Sequence, residues 1–140
     1  EEVYLAELEK GAFLNGAKIE VPECSTERSS HIKDAIIVPQ EVVGRIDKSY
    51  LHSINQINGY RSLALRLASI HKKEIDGIYV RPKSYDWDIV AADLFVQEAG
   101  FQLLTHHEET IIYNQTSLRH NILICAEPKK IRSLLDGILH

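Results

Sequence analysis

Asp86-Trp87-Asp88 sets two carboxylates around the only tryptophan of the chain, directly ahead of a run from Ile89 to Ala99 that is apolar at most positions. Acids at a helix entrance lie where orphan N–H groups and the positive end of the dipole converge, and both effects hold a carboxylate ionised. Asp88, at or near the N-cap of a helix over 88–99, therefore has two readings. It is a plain cap, or it is a carboxylate aimed at a cation, beside N–H groups that can also receive a phosphate. Asp86 reads as a loop residue, and Trp87 as core in preference to a lid. Asp93, alone inside the apolar helix, reads as the partner of an arginine. Just upstream, RPKSYD (81–86) places Arg81 and Lys83 ahead of the acids. Cations beside a carboxylate at a helix mouth suit an anionic substrate bridged by a metal. A solvated loop whose charges pair locally is the alternative.

Other chemistry-bearing residues are less organised. The run His106-His107-Glu108-Glu109 falls between two strand-like segments and lacks the i, i+4 spacing of helical zinc sites, so it reads as a solvent loop. His31, His52, His71, His120 and His140 are scattered without a ligand pattern. No G-x-S-x-G, Walker A or G-x-G-x-x-G motif occurs, and no general base is identifiable.

The elements that must position these groups follow from periodicity and turn chemistry. Residues 3–8 and 17–21 read as strands, with the strong hairpin signal Asn15-Gly16 between them. Residues 22–34 are polar and irregular, and 35–39 form a short buried strand closed by Pro39. Residues 47–57 are weakly helical, and 62–73 carry a helix with Lys72 and Lys73 near its C-terminal end. Residues 75–80, 101–105, 110–114 and 121–127 read as strands. Gly100 suits the C′ position of the apolar helix, and Pro128 the first turn of a last one. In that apolar helix, hydrophobic residues cover nearly the whole circumference, which places it between layers. Short, doubly buried strands alternating with helices indicate a layered α/β domain.

The chain has 140 residues, enough for one domain with a core that needs neither disulfide nor metal. Its net charge of −4, with no basic tail or basic helix face, argues against a nucleic-acid partner. Cys24 and Cys125 stand in no ligand spacing and read as reduced thiols of a cytosolic, cytoplasmic protein. No apolar run reaches the roughly 20 residues of a membrane span. Methionine is absent even from position 1, and the first residues look like the inside of a strand, so a piece of a longer protein is expected.

Two segments resemble a known family. GAFLNGAKIEV (11–21) resembles the G-A-F-x-N-G hairpin of the inositol monophosphatase family. DWDIVAADLFVQEAG resembles its W-D-x-A-A-x-x-x-V-x-E-A-G-G signature, with Trp87, Asp88, Ala91, Ala92, Glu98, Ala99 and Gly100 in step. SLALRLASIHKKEIDGIYVRP is similar to the helix and strand upstream of that signature. The resemblance implies a Mg²⁺-dependent, lithium-sensitive phosphomonoesterase acting on inositol monophosphate or a similar small phosphorylated substrate. One branch of the superfamily instead takes 3′(2′),5′-bisphosphonucleosides. The fold implied is a layered α-β-α sandwich around a mixed sheet, and the assembly a homodimer. By resemblance Asp88 is a metal ligand, and Arg81, Ser62 and Leu63 border the substrate.

The departures from the family pattern also carry information. The remaining metal ligands belong to a Glu-containing helix and an Asp-Pro-x-Asp-Gly-Thr motif, and neither occurs here. The chain accordingly reads as a last hairpin of an N-terminal domain (1–21), a linker (22–34) and a C-terminal α/β domain (35–140), inactive without its missing half. Inositol-type members carry a glutamate near position 80 or 81, where this chain has Val80-Arg81. They also carry a Gly-Ser/Thr-Ala run where it has Ser62-Leu63. Arg81 suits a second phosphate or an acidic group and leans toward the nucleotidase-like branch. Phe101 replaces a second glycine. A reading of another class is a non-catalytic binding or regulatory domain in which Asp88 only caps a helix.

Overall fold

The computed structural model describes residues 1–21, 32–117 and 119–139. Most of the expected linker, residues 22–31, lies outside the described residues. In chain order come strands β1 (Tyr4–Glu7), β2 (Gly11–Leu14), β3 (Ala17–Lys18) and β4 (Ala35–Ile37), then helices α1 (Gln40–Val43) and α2 (Lys48–Ser53). Strand β5 (Asn55–Ile57), helix α3 (Leu63–Ala68) with a 3-10 turn at Ser69–His71, and strands β6 (Gly77–Val80) and β7 (Ser84–Tyr85) follow. The chain continues through α4 (Asp86–Glu98), β8 (Gln102–Thr105), β9 (Arg119–His120), β10 (Leu123–Ala126) and α5 (Pro128–Asp136).

The central sheet has the order β5-β4-β6-β10-β8. Strand β4 runs parallel to β5 and β6, whereas β10 is antiparallel to both of its neighbours. The sheet is therefore mixed. Its inner strands β4, β6 and β10 are buried at every position. Because side chains alternate between faces with a period of two, each strand feeds two cores. Ile37, Ile78, Val80, Leu123 and Cys125 meet Leu67 of α3 and Ile89, Ala92, Phe95 and Val96 of α4. Ile36, Tyr79, Ile124 and Ala126 meet Val42, Ile46 and the α5 residues Ile131, Leu134 and Leu135. This is the layered α/β arrangement expected, with helices on both faces. Gly77 lets α5 approach β6 closely: a Cβ there would lie 2.8 Å from Leu134 Cδ2.

Strands β1–β3 form a separate antiparallel meander. Asn15 (φ 49°) and Gly16 (φ 82°) make the expected turn with left-handed backbone at both positions. The strand entering that turn is β2, however. The expected strand 3–8 ends at Glu7, where the chain reverses through Glu9 (φ 63°) and pairs β1 with β2. Glu98 at the end of α4 clasps this meander: its carboxylate accepts the N–H of Glu9 (2.7 Å) and of Gly11 (3.0 Å).

Three other expectations change. The helix expected over 62–73 stops at Ala68 and tightens into the 3-10 turn, so Lys72 and Lys73 lie beyond it. The 47–57 segment splits into α2, capped by the Asp47 carboxylate on Ser49 and Tyr50 N–H, and the edge strand β5. Residues 110–114 make only the single bridge Leu104↔Thr110. Among the described residues no helix is long and apolar enough to cross a membrane.

Candidate functional site

Helix α4 begins two residues earlier than the apolar pattern indicates, with Tyr85 as N-cap and Asp86 as its first residue. Asp88 is thus not the cap but the third helical residue. Its Oδ2 accepts the N–H of Tyr85 at 3.0 Å, the back-bond of a capping box. The capping and cation-binding readings are compatible in this geometry, because a carboxylate has two oxygens and the back-bond occupies one.

Asp86 is the larger surprise. It is no loop residue: Oδ2 accepts the N–H of Asn114 at 2.8 Å, and Oδ1 lies 2.5 Å from His120 Nε2. The Asn114 N–H foremost, and His120 after it, hold this carboxyl below the usual aspartate range. Trp87 is not core. It is 63% exposed and stacks on Tyr85, with ring centroids 4.2 Å apart and planes 10° from parallel. Val90 is likewise exposed, so α4 buries the face of Ile89, Ala92, Phe95 and Val96 and leaves an apolar stripe outward. Asp93, buried in α4, is bonded to no arginine among the described residues. It accepts Tyr113 Oη–H at 2.6 Å and Gln97 Nε2–H at 2.9 Å.

Next to the helix mouth, Glu41, Arg81, Pro82, Lys83, Tyr85 and Arg119 line an open cleft of about 450 Å³. Arg119 is fixed on Tyr85: its Nε donates to the Tyr85 hydroxyl at 2.7 Å and its guanidinium lies 4.8 Å from the ring centre. Arg81 Nη1 stands 3.9 Å from the Glu41 carboxylate, beyond hydrogen-bond length. Lys83 adopts left-handed backbone (φ 70°) and donates its N–H to His120 O at 2.6 Å. Such conformations in a non-glycine residue cluster at ligand sites.

Ser62 and Leu63 sit at the start of α3. Ser62 Oγ accepts Leu65 N–H at 3.4 Å, and Leu63 packs against the core under α4. Arg66, on the same helix, donates to Tyr60 O at 2.8 Å and to Arg61 O at 3.1 Å. Burial first, then the charge of Arg81, lowers it below the ordinary arginine range, opposed by Glu41. The cleft thus gathers Arg81 with Tyr85 beside the mouth of α4, whereas Ser62 and Leu63 are not among the residues that line it. The His106–Glu109 segment is a turn held by Thr105 Oγ1, with Glu108 bonded to Arg132, as a solvent loop should be.

Among the described residues no three His, Cys, Asp or Glu side chains converge as a metal cage. Asp88 supplies one hard oxygen donor, which suits Mg²⁺, but the near-octahedral shell of that ion needs more donors than this helix mouth brings. Tyr85, Arg119 and His120 were not singled out from sequence. They carry no motif, and only the fold brings β9 against β7 and the first turn of α4.

Residues 1–138 match the model of the inositol monophosphatase family. No curated protein matches the chain significantly. Among solved structures, a Pyrococcus horikoshii protein described as similar to inositol-1 monophosphatase superposes with a TM-score of 0.78 at 19% identity, over 100% of this chain and 54% of its own. The inositol monophosphatase of Anabaena (Nostoc) gives 0.70 at 19% identity, over 98% and 57%. A Staphylococcus aureus inositol monophosphatase II gives 0.76 at 16% identity with inositol monophosphate bound, over 99% and 53%. With 2′-AMP bound it gives 0.74 at 15%, over 99% and 52%. The chain spans about half the length of these relatives. Extent of match and agreement of fold together place the chain in the inositol monophosphatase family.

Proposed function

We propose that this chain forms the C-terminal half of a Mg²⁺-dependent phosphomonoesterase, in which Asp88 holds one metal ion and the cleft beside it receives a small phosphorylated substrate. The observation that carries the reading is Asp88 on the first turn of α4, back-bonded through one oxygen and flanked by a cationic cleft. Family membership supports it. Bound Mg²⁺ would supply Lewis-acid polarisation of the phosphoryl group. This chain's own part is to orient Asp88 through the Tyr85 N–H and to present N–H groups and cations to phosphate oxygens. In this reading residues 1–21 close a preceding domain, and residues 35–140 with Arg81, Ser62 and Leu63 form the substrate-facing half of a cytoplasmic homodimer inhibited by lithium. Inositol monophosphate is the first substrate to test. A 3′(2′),5′-bisphosphate nucleotidase is the second reading, favoured by Arg81 on the cleft wall.

The test is Asp88→Asn in the full-length protein. The amide oxygen still accepts the Tyr85 N–H, so the melting curve should hardly move. Loss of metal stabilisation worth several kcal/mol cuts Mg²⁺-dependent hydrolysis at least about 100-fold. Unchanged hydrolysis would remove Asp88 from the site. No Mg²⁺-dependent hydrolysis by the wild type would leave the binding or regulatory domain as the better reading.

A further inference from the structure

We propose that Asn58 is a self-modifying site, at which the Gly59 nitrogen displaces ammonia from the side-chain amide and converts the residue to isoaspartate or aspartate. The proposal goes beyond the phosphatase reading and does not depend on it. It comes from a contrast within one chain. Asn-Gly occurs twice, at Asn15-Gly16 and at Asn58-Gly59. The dipeptide is chemically predisposed, because glycine has no side chain to hinder approach of its nitrogen to the neighbouring carboxamide carbon. The fold restrains one copy and leaves the other open.

Asn15 is the restrained copy. Its N–H donates to Val3 O at 2.8 Å, and its Oδ1 accepts the Val3 N–H at 2.8 Å. The carboxamide is thereby tied to the start of β1, and the turn holds both Asn15 and Gly16 in left-handed backbone. Ring closure on Asn15 requires this hairpin to open first.

Asn58 has none of these restraints. It is exposed in the irregular stretch between β5 and α3. Among the described residues neither its side-chain amide nor the Gly59 N–H has a hydrogen-bond partner. Only the far side of Gly59 is held. A Cβ there would lie 2.8 Å from Ile37 Cδ1 and 2.9 Å from Arg66 Cγ, so the glycine is packed closely between them. Arg66 also fixes the next two carbonyls, those of Tyr60 and Arg61. An unbonded carboxamide therefore adjoins a nitrogen whose downstream chain is anchored.

In the reaction the Gly59 nitrogen bonds to Asn58 Cγ and gives its proton to water or hydroxide. The amide nitrogen leaves as ammonia, and a five-membered succinimide remains. Water then opens the ring. Cleavage at the Asn58 backbone carbonyl leaves isoaspartate, and cleavage at Cγ leaves aspartate. Either way one neutral amide becomes one carboxylate, with no change of oxidation state. Isoaspartate adds one carbon to the main chain ahead of Gly59. With Gly59 packed against Ile37 and Arg66, the added length loosens the approach to Ser62. Ser62 O and Oγ accept the N–H groups of Arg66 (2.9 Å) and Leu65 (3.4 Å), so the entrance of α3 loosens with it.

The test ages the full-length protein at pH 8, natively and in urea, and maps both Asn-Gly peptides by mass spectrometry. Protein isoaspartate methyltransferase is the probe for the isopeptide bond. Native Asn58 should convert at least about tenfold faster than native Asn15, whose two hydrogen bonds must open first. In urea the two rates should converge. Hydrogen exchange at Leu65 and Arg66 should accelerate as isoaspartate accumulates. Asn58→Gln, whose longer side chain closes a ring slowly, should hold its starting exchange rates over the same period. Asn58→Asp, which adds the charge without the extra carbon, should resemble unaged wild type.

Native Asn15 converting as fast as Asn58, or Asn58 persisting in the native protein while it converts in urea, overturns the site. A rate ratio in urea as large as the native one overturns the argument from the fold, since neighbouring residues would then set the contrast. Conversion that leaves exchange at Leu65 and Arg66 unchanged keeps the site and overturns the loosening of α3.

Discussion

The Asp86 carboxylate and the His120 imidazole, 34 residues apart in sequence, meet at 2.5 Å and tie the first turn of α4 to β9. Strand β9 also carries Arg119 and pairs with β7, so one contact fixes the helix mouth and the cleft wall together. The folded-state pKa of Asp86 lies below that of a free aspartate, chiefly through the Asn114 N–H and secondarily through His120. The stability it contributes is therefore complete above the unfolded value, about 3.9, and is lost as pH falls through the lower folded value. Asp86→Asn should flatten that part of the acid limb of the stability–pH curve. An acid limb identical in variant and wild type would show the contact to be energetically idle.

Glu98→Ala should free the β1–β3 meander from α4. Two backbone N–H groups lose their acceptor; Glu9 is exposed and can turn to water, so the part-buried Gly11 N–H carries the cost, about 1 kcal/mol. Hydrogen exchange at Glu9 and Gly11 should accelerate selectively, while amides of β6 and β10 stay protected. Uniform acceleration across the chain would mean that the clasp supports the whole fold and not the meander alone.

Gly77→Ala should destabilise by about 1–3 kcal/mol through overpacking. The added Cβ would meet Leu134 at 2.8 Å and Ile36 at 3.0 Å. Combining it with Leu134→Val, which trims one of those neighbours, should recover part of the loss. Denaturant midpoints of the four proteins measure the coupling, and strict additivity would refute the steric account.

Cys125 is fully buried in β10, and burial pushes its thiol far above the ordinary range. It should resist iodoacetamide in the native protein at pH 8 and react only on unfolding. Peptide mapping of Cys125 reads this directly, and fast native labelling would contradict the packing.

Several features were legible from short-range chemistry. Asn15-Gly16 turns the chain because both residues tolerate left-handed backbone, and Pro128 opens α5 because its missing N–H costs nothing there. The W-D signature marked the mouth of α4 correctly, although the first helical residue proved to be Asp86. What sequence could not show was partnership at a distance. Asp93 finds Tyr113, 20 residues on, and Asp86 finds Asn114 and His120, because the fold brings those residues there and no local pattern encodes it. Trp87 misled for a related reason. An apolar side chain says only that it prefers to leave water, and on α4 the inward face was already filled by Ile89, Ala92, Phe95 and Val96.

Helix α4 can finally be viewed as a strut. Its 13 residues span about 20 Å. Asp88 stands on its first turn, and Glu98 grips the meander on its last. A rod gripped at one end transmits the position of that grip to the other, so the meander gauges where the Asp88 carboxylate sits. Whatever segment of protein is joined to the meander is thereby measured off against the helix mouth at a fixed distance. Lengthening α4 by a single residue would turn Asp88 about 100° away from that alignment while leaving every local interaction of the mouth intact.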